Sequence, residues 1–540
     1  MQRFRRAFHL LPRAQARLAS SSALKSDTQT RPDDFFHYTS GRWLFDEQQQ
    51  LAKRHVKFNP QALQKVAGQL RNTQCVQMTK LPEGMHNKVF SLKMENGEEI
   101  LARIPNPNAG HPRCVVSSEV ATLDFLRSIL GLPVPTVLDW SSVSNPVGAA
   151  YILMEKAKGR QLSEVRDTMS TAQKFGLVKR LVEIERRLVS TRFARHGSLY
   201  YKDSYPDGND ILDSTEMPKS EMKAISKFVV GPTTEISFWE DERRELDIDR
   251  GPWKTTEEYL TAIAHREIAV IRKLNATSCL DKASPEKHIQ LLEQFMTVLP
   301  YILPFEDVSN PVLLHHDLHT ENIFVDETDH TKVSSIIDWQ EVYAAPLFLQ
   351  ARFPSVFDCD DPYPWGIIKP ELPDDFDILS QPEKNMEEER LDRLRLKKFY
   401  EIASRKFNPA LVQAMDAMAD GDDPTTFIFH LIGHSAANGP IPLQELLIQI
   451  HEKWIQVLAR RGISAPCPIS FSEEESEKYR QQVDEWAEAY NEFNSLRIEV
   501  SGKDGWVSHE EYDEAMEKFK QNRARLEKLE KRLKGIYSCV

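Results

Sequence analysis

Residues 313–342 read LLHHDLHTENIFVDETDHTKVSSIIDWQEV, short apolar runs alternating with loops that carry oxygen-bearing side chains. Residues 311–314 are apolar and lead into the polar stretch 315–322. Residues 323–325 form a second run, β-branched and aromatic, and 326–331 are turn-like. Residues 333–337 form a third run that stops at Asp338. Runs of this length, bounded by turn chemistry, read as strands. Paired as a hairpin, the last two put Asn322 at the entrance and Asp338 at the exit, so both side chains reach the same end. An amide and a carboxylate there suit magnesium, a hard cation that takes oxygen ligands and shares its shell with substrate phosphates. Asp317 lies across the loop from Asn322, where it can orient an acceptor hydroxyl and take its proton.

The loop His315-His316-Asp317-Leu318-His319-Thr320-Glu321-Asn322 resembles HGDLHxxN of the aminoglycoside phosphotransferase family, and Ile336-Ile337-Asp338-Trp339 resembles the family's metal-binding IDW motif. That family is a branch of the protein-kinase-like fold. The resemblance implies an α+β, bilobal protein-kinase-like chain with a small β-rich N-lobe, a larger helical C-lobe and a helical C-terminal extension. It implies Asp317 as catalytic base, Asn322 and Asp338 as metal residues, and ATP with Mg as cofactors. His316 stands where the family usually has Gly. The three histidines also admit a zinc reading, but no Cys or Glu stands at a matching distance. His315 reads as a brace for the loop, and His319 stays open between a site role and an ordinary loop position.

The same resemblance requires a nucleotide-holding lobe upstream. Residues 88–94 alternate apolar and polar, Asn96-Gly97 is a hairpin turn signal, and 99–104 return as a strand that stops at Pro105. Residues 117–130 read as a helix with a capping-box flavour at Ser117. Residues 151–154 read as a strand, followed by the polar connector 155–159. This is the order the resemblance implies for N-lobe and hinge, with Glu155 and Ala157 as hinge candidates for nucleotide. Arg103 falls where the family carries a cation for the phosphates, and Glu119 on the next helix can pair with it; an edge-strand Arg with its head in water is the alternative. The phosphate-covering segment 82–88 holds one glycine and has neither a G-x-G-x-x-G nor a Walker-type motif. Asn87 and Lys88 are its candidates for phosphate contact, against an ordinary turn before a strand.

The ends of the chain differ from its body. Residues 1–26 carry Arg3, Arg5, Arg6, Arg13, Arg17 and Lys25 and no acid, a transit-peptide signature that predicts mitochondrial import, matrix favoured, over 1–32. A nucleic-acid-binding arm is the alternative, and the acidic body opposes it. The net charge is −12, and about −18 without those six positives, which disfavours binding to nucleic acid or anionic membrane. No 18-residue apolar run exists, so no membrane span is expected. Cys75, Cys114, Cys279, Cys359, Cys467 and Cys539 are scattered without CxxC spacing and read as reduced thiols.

The motifs argue for one bilobal unit: N-lobe with leader at 33–155, C-lobe with insertions at 156–465, and extension at 466–540. The aromatic- and acid-rich stretch 200–255 is expected to be an irregular insert that contributes to a small-molecule acceptor pocket; packing is the alternative. The loop 357–365 sets acids beside aromatics and suits a cationic or sugar-like substrate, or is simply solvated. Tyr479, Val483, Trp486, Tyr490 and Phe493 form one helical stripe, and Tyr512, Met516, Phe519, Leu526, Leu529 and Leu533 another. These helices pack on the lobe or each other, or present a protein-partner arm. Ser508 with Glu511 reads as the capping box of the last helix. The overall pattern resembles the fungal mitochondrial branch of the family, close to the altered-inheritance-of-mitochondria group. Two functions remain: an ATP-dependent phosphotransferase acting on a small-molecule hydroxyl, or a non-catalytic nucleotide-binding or scaffold protein in mitochondrial maintenance.

Overall fold

The computed structural model describes residues 32–211, 223–277, 285–359, 363–420, 423–502 and 504–538. The stretch 1–31, on which the transit-peptide reading falls, lies outside them, as do 360–362 of the acidic loop. After β1 (Arg42–Trp43) and the helix Pro60–Arg71, five strands form an antiparallel sheet: β2 (Cys75–Lys80), β3 (Asn87–Met94), β4 (Glu99–Pro105), β5 (Val137–Ser141) and β6 (Tyr151–Glu155), in the order β2-β3-β4-β6-β5. Alternation gives the sheet two faces. Phe90, Leu92, Met94, Ile100, Ala102, Ile104 and Leu153 pack on Leu63 and Ala67 of the helix Pro60–Arg71. The register pairs Val89 with Arg103, Ser91 with Leu101, and Arg103 with Ile152, so these residues share the other face.

The helix Pro112–Ser128 lies on that second face, with Val116 and Val120 against Ile152 and Met154. Glu119 therefore looks toward Arg103. The helix does not start near Ser117. Pro112, whose fixed φ is pre-organised for the first helical position, starts it a turn earlier, and Ser117 is buried mid-helix with its hydroxyl on Ser142 Oγ at 2.9 Å.

The larger lobe is mostly helical. Its strands are short: β7 (Arg160–Gln161), β8 (Ser198–Tyr201), β9 (Asn209–Asp210), β10 (Phe228–Gly231), β11 (Pro311–Val312), β12 (Ile323–Val325), β13 (Val333–Ile336) and β14 (Ala345–Pro346). The sheet β8-β10-β9 overlaps the stretch 200–255, where an irregular insert is expected; β8 starts two residues before it. The hairpin β12–β13 forms as expected, with β7 on the free edge of β12. Its turn is closed by Asp326, whose Oδ1 accepts from the amides of Thr328 at 3.0 Å and Asp329 at 2.9 Å. The connector between the lobes passes so close to β12 that a Cβ on Gly159 (φ 88°) would stand 2.1 Å from the Val325 carbonyl oxygen. Only glycine fits there.

The helices Thr171–Val189 and Gln381–Phe407 pack side by side, with the rings of Phe175 and Phe399 at 4.5 Å. Beyond them, Glu473–Ser501 lies on Pro440–Glu452 and buries Trp486 completely. It turns back as Tyr512–Ser538, with Leu496 and Val500 against Leu529. Ser508 and Glu511 cap this last helix, Glu511 N donating to Ser508 Oγ at 3.2 Å. Between the two helices β15 (Trp506–Val507) pairs antiparallel with β1, tying the two ends of the described chain. The fold is thus α+β, with a small sheet-bearing lobe and a larger helical one. Among the described residues no helix is long and apolar enough to cross a membrane.

Candidate active site

The strand-then-helix order places a cation where two carboxylates converge. Arg103 Nη1 bonds Glu119 Oε1, and Arg103 Nη2 reaches Asp338 Oδ1 at 2.5 Å and Gln340 Oε1 at 2.7 Å. The Asn87 amide lies against both Gln340 and Arg103. Asp338 follows β13 with φ 65°, a left-handed turn that Asp tolerates better than most residues. That turn breaks the pleat and swings the carboxylate toward the sheet of the small lobe. The Asp338 side chain keeps 43% of its surface exposed; desolvation by its neighbours opposes its charge, yet the adjacent guanidinium holds its carboxyl below the usual range. Burial pushes Glu119 up to about 7, with Arg103 opposing. Glu341, the residue after Gln340, rises to about 8 through burial and the neighbouring Asp338 charge.

The loop 315–322 is fixed from within. His315 Nε2 donates to the Ile337 carbonyl at 2.9 Å, and its Nδ1 accepts from the Asp317 amide at 3.2 Å, which sets the tautomer and ties the loop to the end of the hairpin. Its ring meets Trp339 edge-on at 4.7 Å. Asn322 Nδ2 donates to the Asp317 carbonyl at 2.9 Å, and the Ile337 amide donates to the Asn322 carbonyl at 3.0 Å. Asp317, Asn322 and Asp338 are thereby locked into one frame. His319 Nε2 lies 3.4 Å from Asp317 Oδ2. The His316 ring turns away and stacks on Tyr343 at 5.1 Å, while its carbonyl accepts from Arg352. Burial drives this imidazole down to about 3, so it is neutral. Among the described residues no group of three or more His, Cys, Asp or Glu is arranged to hold a metal.

Behind the loop, His316 and Glu185 line a cavity barely large enough for one water. Glu185 is buried and accepts from Tyr400 Oη at 2.6 Å; burial pushes its carboxyl up to about 8 from an ordinary 4.5. At neutral pH the folded chain therefore holds a proton here that the unfolded chain does not. The stability contributed by that proton is full below the unfolded value and is lost as pH rises through about 8. Glu185→Gln keeps the shape and removes the titration. It is expected to raise unfolding free energy at pH 7 by about 3 kcal/mol and to flatten its fall between about pH 5 and 8, read by urea unfolding.

A cleft of about 270 Å³ opens on the Arg103 face of the sheet, lined by Leu81, Ser91, Leu101, Glu99 and Lys156 among others. Glu155 and Ala157 flank Lys156 at its edge; the Glu155 amide is bonded to the Thr136 carbonyl at 2.9 Å. Arg103, Glu119, Asn87 and Asp338 are thus brought together, and Asp317 with Asn322 adjoins them through His315. Lys88 is not. Its side chain points into the opposite face of the sheet, where Nζ meets Glu83 Oε2 at 3.0 Å and it is fully buried. Leu101 was legible, being two residues before Arg103 on a strand. Gln340 and Glu341 were not, because left-handed turns at Asp338 and Glu341 aim that segment.

A small sheet-bearing lobe joined to a helical one by a cation between a helix carboxylate and the Asp of a hairpin exit is a kinase-like fold. The chain belongs to the phosphotransferase enzyme family (APH), whose sequence profile matches residues 77–348. Two subtelomeric hrmA-associated cluster proteins, from two Aspergillus fumigatus strains, are 32% identical to it over 492 residues, covering 83% of this chain and 92% of theirs. The altered inheritance of mitochondria protein 9, mitochondrial, of Yarrowia lipolytica is 23% identical over 527 residues, covering 91% of this chain and 88% of its own. Among solved structures, a thermostable mutant of aminoglycoside phosphotransferase APH(4)-Ia, in ternary complex with ADP and hygromycin B, is similar at 14% identity and a TM-score of 0.31. That match covers 70% of this chain and 99% of the other.

Proposed function

We propose that this protein transfers the terminal phosphoryl group of ATP to a hydroxyl of a small molecule, in the mitochondrial matrix. One observation carries the reading: Arg103 grips Glu119 with one arm of its fork and Asp338 with the other, joining the small lobe to the hairpin exit. Asn322 spends its amide nitrogen on the Asp317 carbonyl, leaving its oxygen, and Asp338 has a second oxygen beyond the one on Arg103. Two hard oxygen donors fit Mg: Asn322 and Asp338 would hold the ion, which would supply neutralising charge at the phosphates. Asp317 takes the proton of the acceptor hydroxyl as that oxygen attacks the γ-phosphorus and ADP leaves. The base of the nucleotide lies in the cleft against Leu81 and Leu101, beside Glu155 and Ala157, with Asn87 and Arg103 toward the phosphates. Lys88 supports the covering loop from behind.

The lobe boundary falls at 155/156 and the extension begins at 466. The mitochondrial address rests on the arginine-rich, acid-free residues 1–26 and on the name of the Yarrowia relative. A second reading, nucleotide binding or scaffolding without transfer, has one observation in its favour: Arg103 already occupies an oxygen of Asp338. Mg-ATP at about 100 times its Kd is expected to raise the melting temperature of the purified protein by several degrees, and Asp338→Ala to abolish that shift. No shift in the wild type would sink both the phosphotransferase and the nucleotide-binding readings. A shift without ATP consumption across a panel of small hydroxyl compounds would favour the second.

A further inference from the structure

The segment that covers the nucleotide phosphates in this reading, 82–88, contains a single glycine, yet it is held by contacts from outside. Glu83 is its anchor. The Glu83 side chain is fully buried, with Oε1 accepting from the Thr39 amide at 2.7 Å and from Lys80 Nζ at 2.6 Å, and Oε2 from Lys88 Nζ at 3.0 Å. Its amide donates to Ser40 Oγ at 2.9 Å. Lys80 Nζ also donates to the Asp34 and His37 carbonyls at 2.8 and 2.5 Å. Tyr38 Oη donates to Met85 Sδ at 3.9 Å. Residues 34–40 thus wrap the back of the loop, while its front meets the catalytic segment through His86 and Glu341 at 3.4 Å and through Asn87 and Gln340.

That wrapping strip is itself held by the C-terminal extension. Trp506 Nε1 donates to Tyr38 Oη at 3.0 Å, and His509 Nε2 contacts the Thr39 carbonyl at 3.0 Å. Arg42 pairs with Val507 and Trp43 with Trp506, the Leu44 amide donates to the Gly505 carbonyl at 2.9 Å, and Arg42 stacks on Tyr512 at 3.5 Å. The fit is close: a Cβ on Gly41 would stand 2.5 Å from Trp506 Nε1 and 2.6 Å from the Val507 carbonyl oxygen.

We propose that the C-terminal helical hairpin is part of the nucleotide site. Through the β1–β15 clasp and residues 34–40 it fixes Glu83, a positioning residue, and so pre-forms the phosphate-covering loop that the sequence does not build from glycines. This rests on the nucleotide reading above. Ordering a free loop costs conformational entropy on binding, whereas a pre-formed loop does not bear that cost. Opening the clasp therefore weakens nucleotide affinity and leaves the transfer step alone.

The test uses the full chain with Gly41→Ala, which wedges the clasp, and Trp506→Ala, which removes its indole. Hydrogen exchange of the 82–88 amides without nucleotide is expected to accelerate about tenfold in both. Mg-ATP Kd and KM are expected to rise about fivefold or more, with kcat within about twofold and Trp506→Phe intermediate. Lys531→Ala, on the exposed face of the last helix, is expected to match wild type. The proposal fails if exchange accelerates at Trp43 and Trp506, showing an open clasp, while 82–88 and the nucleotide Kd stay at wild-type values. If the wild type binds no Mg-ATP, the functional reading fails separately, and exchange at 82–88 still decides the coupling. Should Trp506→Ala not fold, Gly41→Ala carries the test.

Discussion

Asp317→Asn is expected to slow phosphoryl transfer about 10²–10⁴-fold while Mg-ATP affinity stays within about threefold. The backbone of residue 317 carries the structural work: its amide donates to His315 Nδ1 and its carbonyl accepts from Asn322 Nδ2. Neither bond involves the side chain, and Asn is nearly isosteric, so the loop keeps its frame. What goes is the capacity to accept a proton. Phosphoryl transfer proceeds through a loose transition state in which positioning and charge stabilisation dominate, so the base contributes part of the rate and the loss is bounded. A second readout follows from His319. Burial works to lower this imidazole, and the Asp317 carboxylate 3.4 Å away overcomes that, holding it above its ordinary value. Asp317→Asn removes the charge, so His319 should titrate at lower pH, observable by NMR of its ring protons. Single-turnover transfer at the wild-type rate would remove Asp317 from the role of base.

The parts of this architecture legible in the sequence are those written in periodic patterns. β3, β4 and the β12–β13 hairpin announce themselves by alternation and turn residues, and Arg103 with Glu119 by the order strand then helix. Lys88 lies one residue out of register with the cleft face. Arg103 pairs with Val89, so Lys88 belongs to the opposite face, and a shift of one residue exchanges core for cleft. The helix start moved because Pro112 dictates it, whereas Ser117 only looked like a cap. The β1–β15 pairing left no trace, since two-residue strands far apart in sequence have no period to detect. The strands β8–β10 were hidden for a related reason. Their short runs sit among the Asp, Pro and Gly of the insert, and burial of Phe228 and Val230 against the helical core, with Val229 buried on the other face, forms the sheet.

Arg103→Met is expected to destabilise the fold by about 3–5 kcal/mol at pH 7.5, the cost of leaving a buried charge without its partner. Met fills much the same volume, so the loss is electrostatic. Glu119 loses its only ion-pair partner among the described residues, and Asp338 is left facing Glu119 and Glu341. The pH dependence separates this account from one based on packing. Burial already places Glu119 at about 7 with the guanidinium present, and without it the carboxyl rises further. The folded variant then binds a proton that the unfolded chain, with its carboxyl near 4.5, does not. Stability from that proton is full below the unfolded value and is lost as pH rises through the raised folded value. The gap between variant and wild type should therefore narrow between pH 7.5 and 5, read by urea unfolding at each pH. A gap that stays constant would mean that Arg103 acts through its methylenes. Two further variants sharpen the reading. Glu119→Gln added to Arg103→Met removes the stranded charge and should recover part of the loss, a non-additivity expected of groups in direct contact. Arg103→Lys restores the charge without the fork. A single ammonium cannot reproduce separate bonds to Glu119 on one nitrogen and to Asp338 and Gln340 on another, so it should recover stability more fully than nucleotide affinity, because burial needs only a cation whereas the site needs one aimed at both lobes.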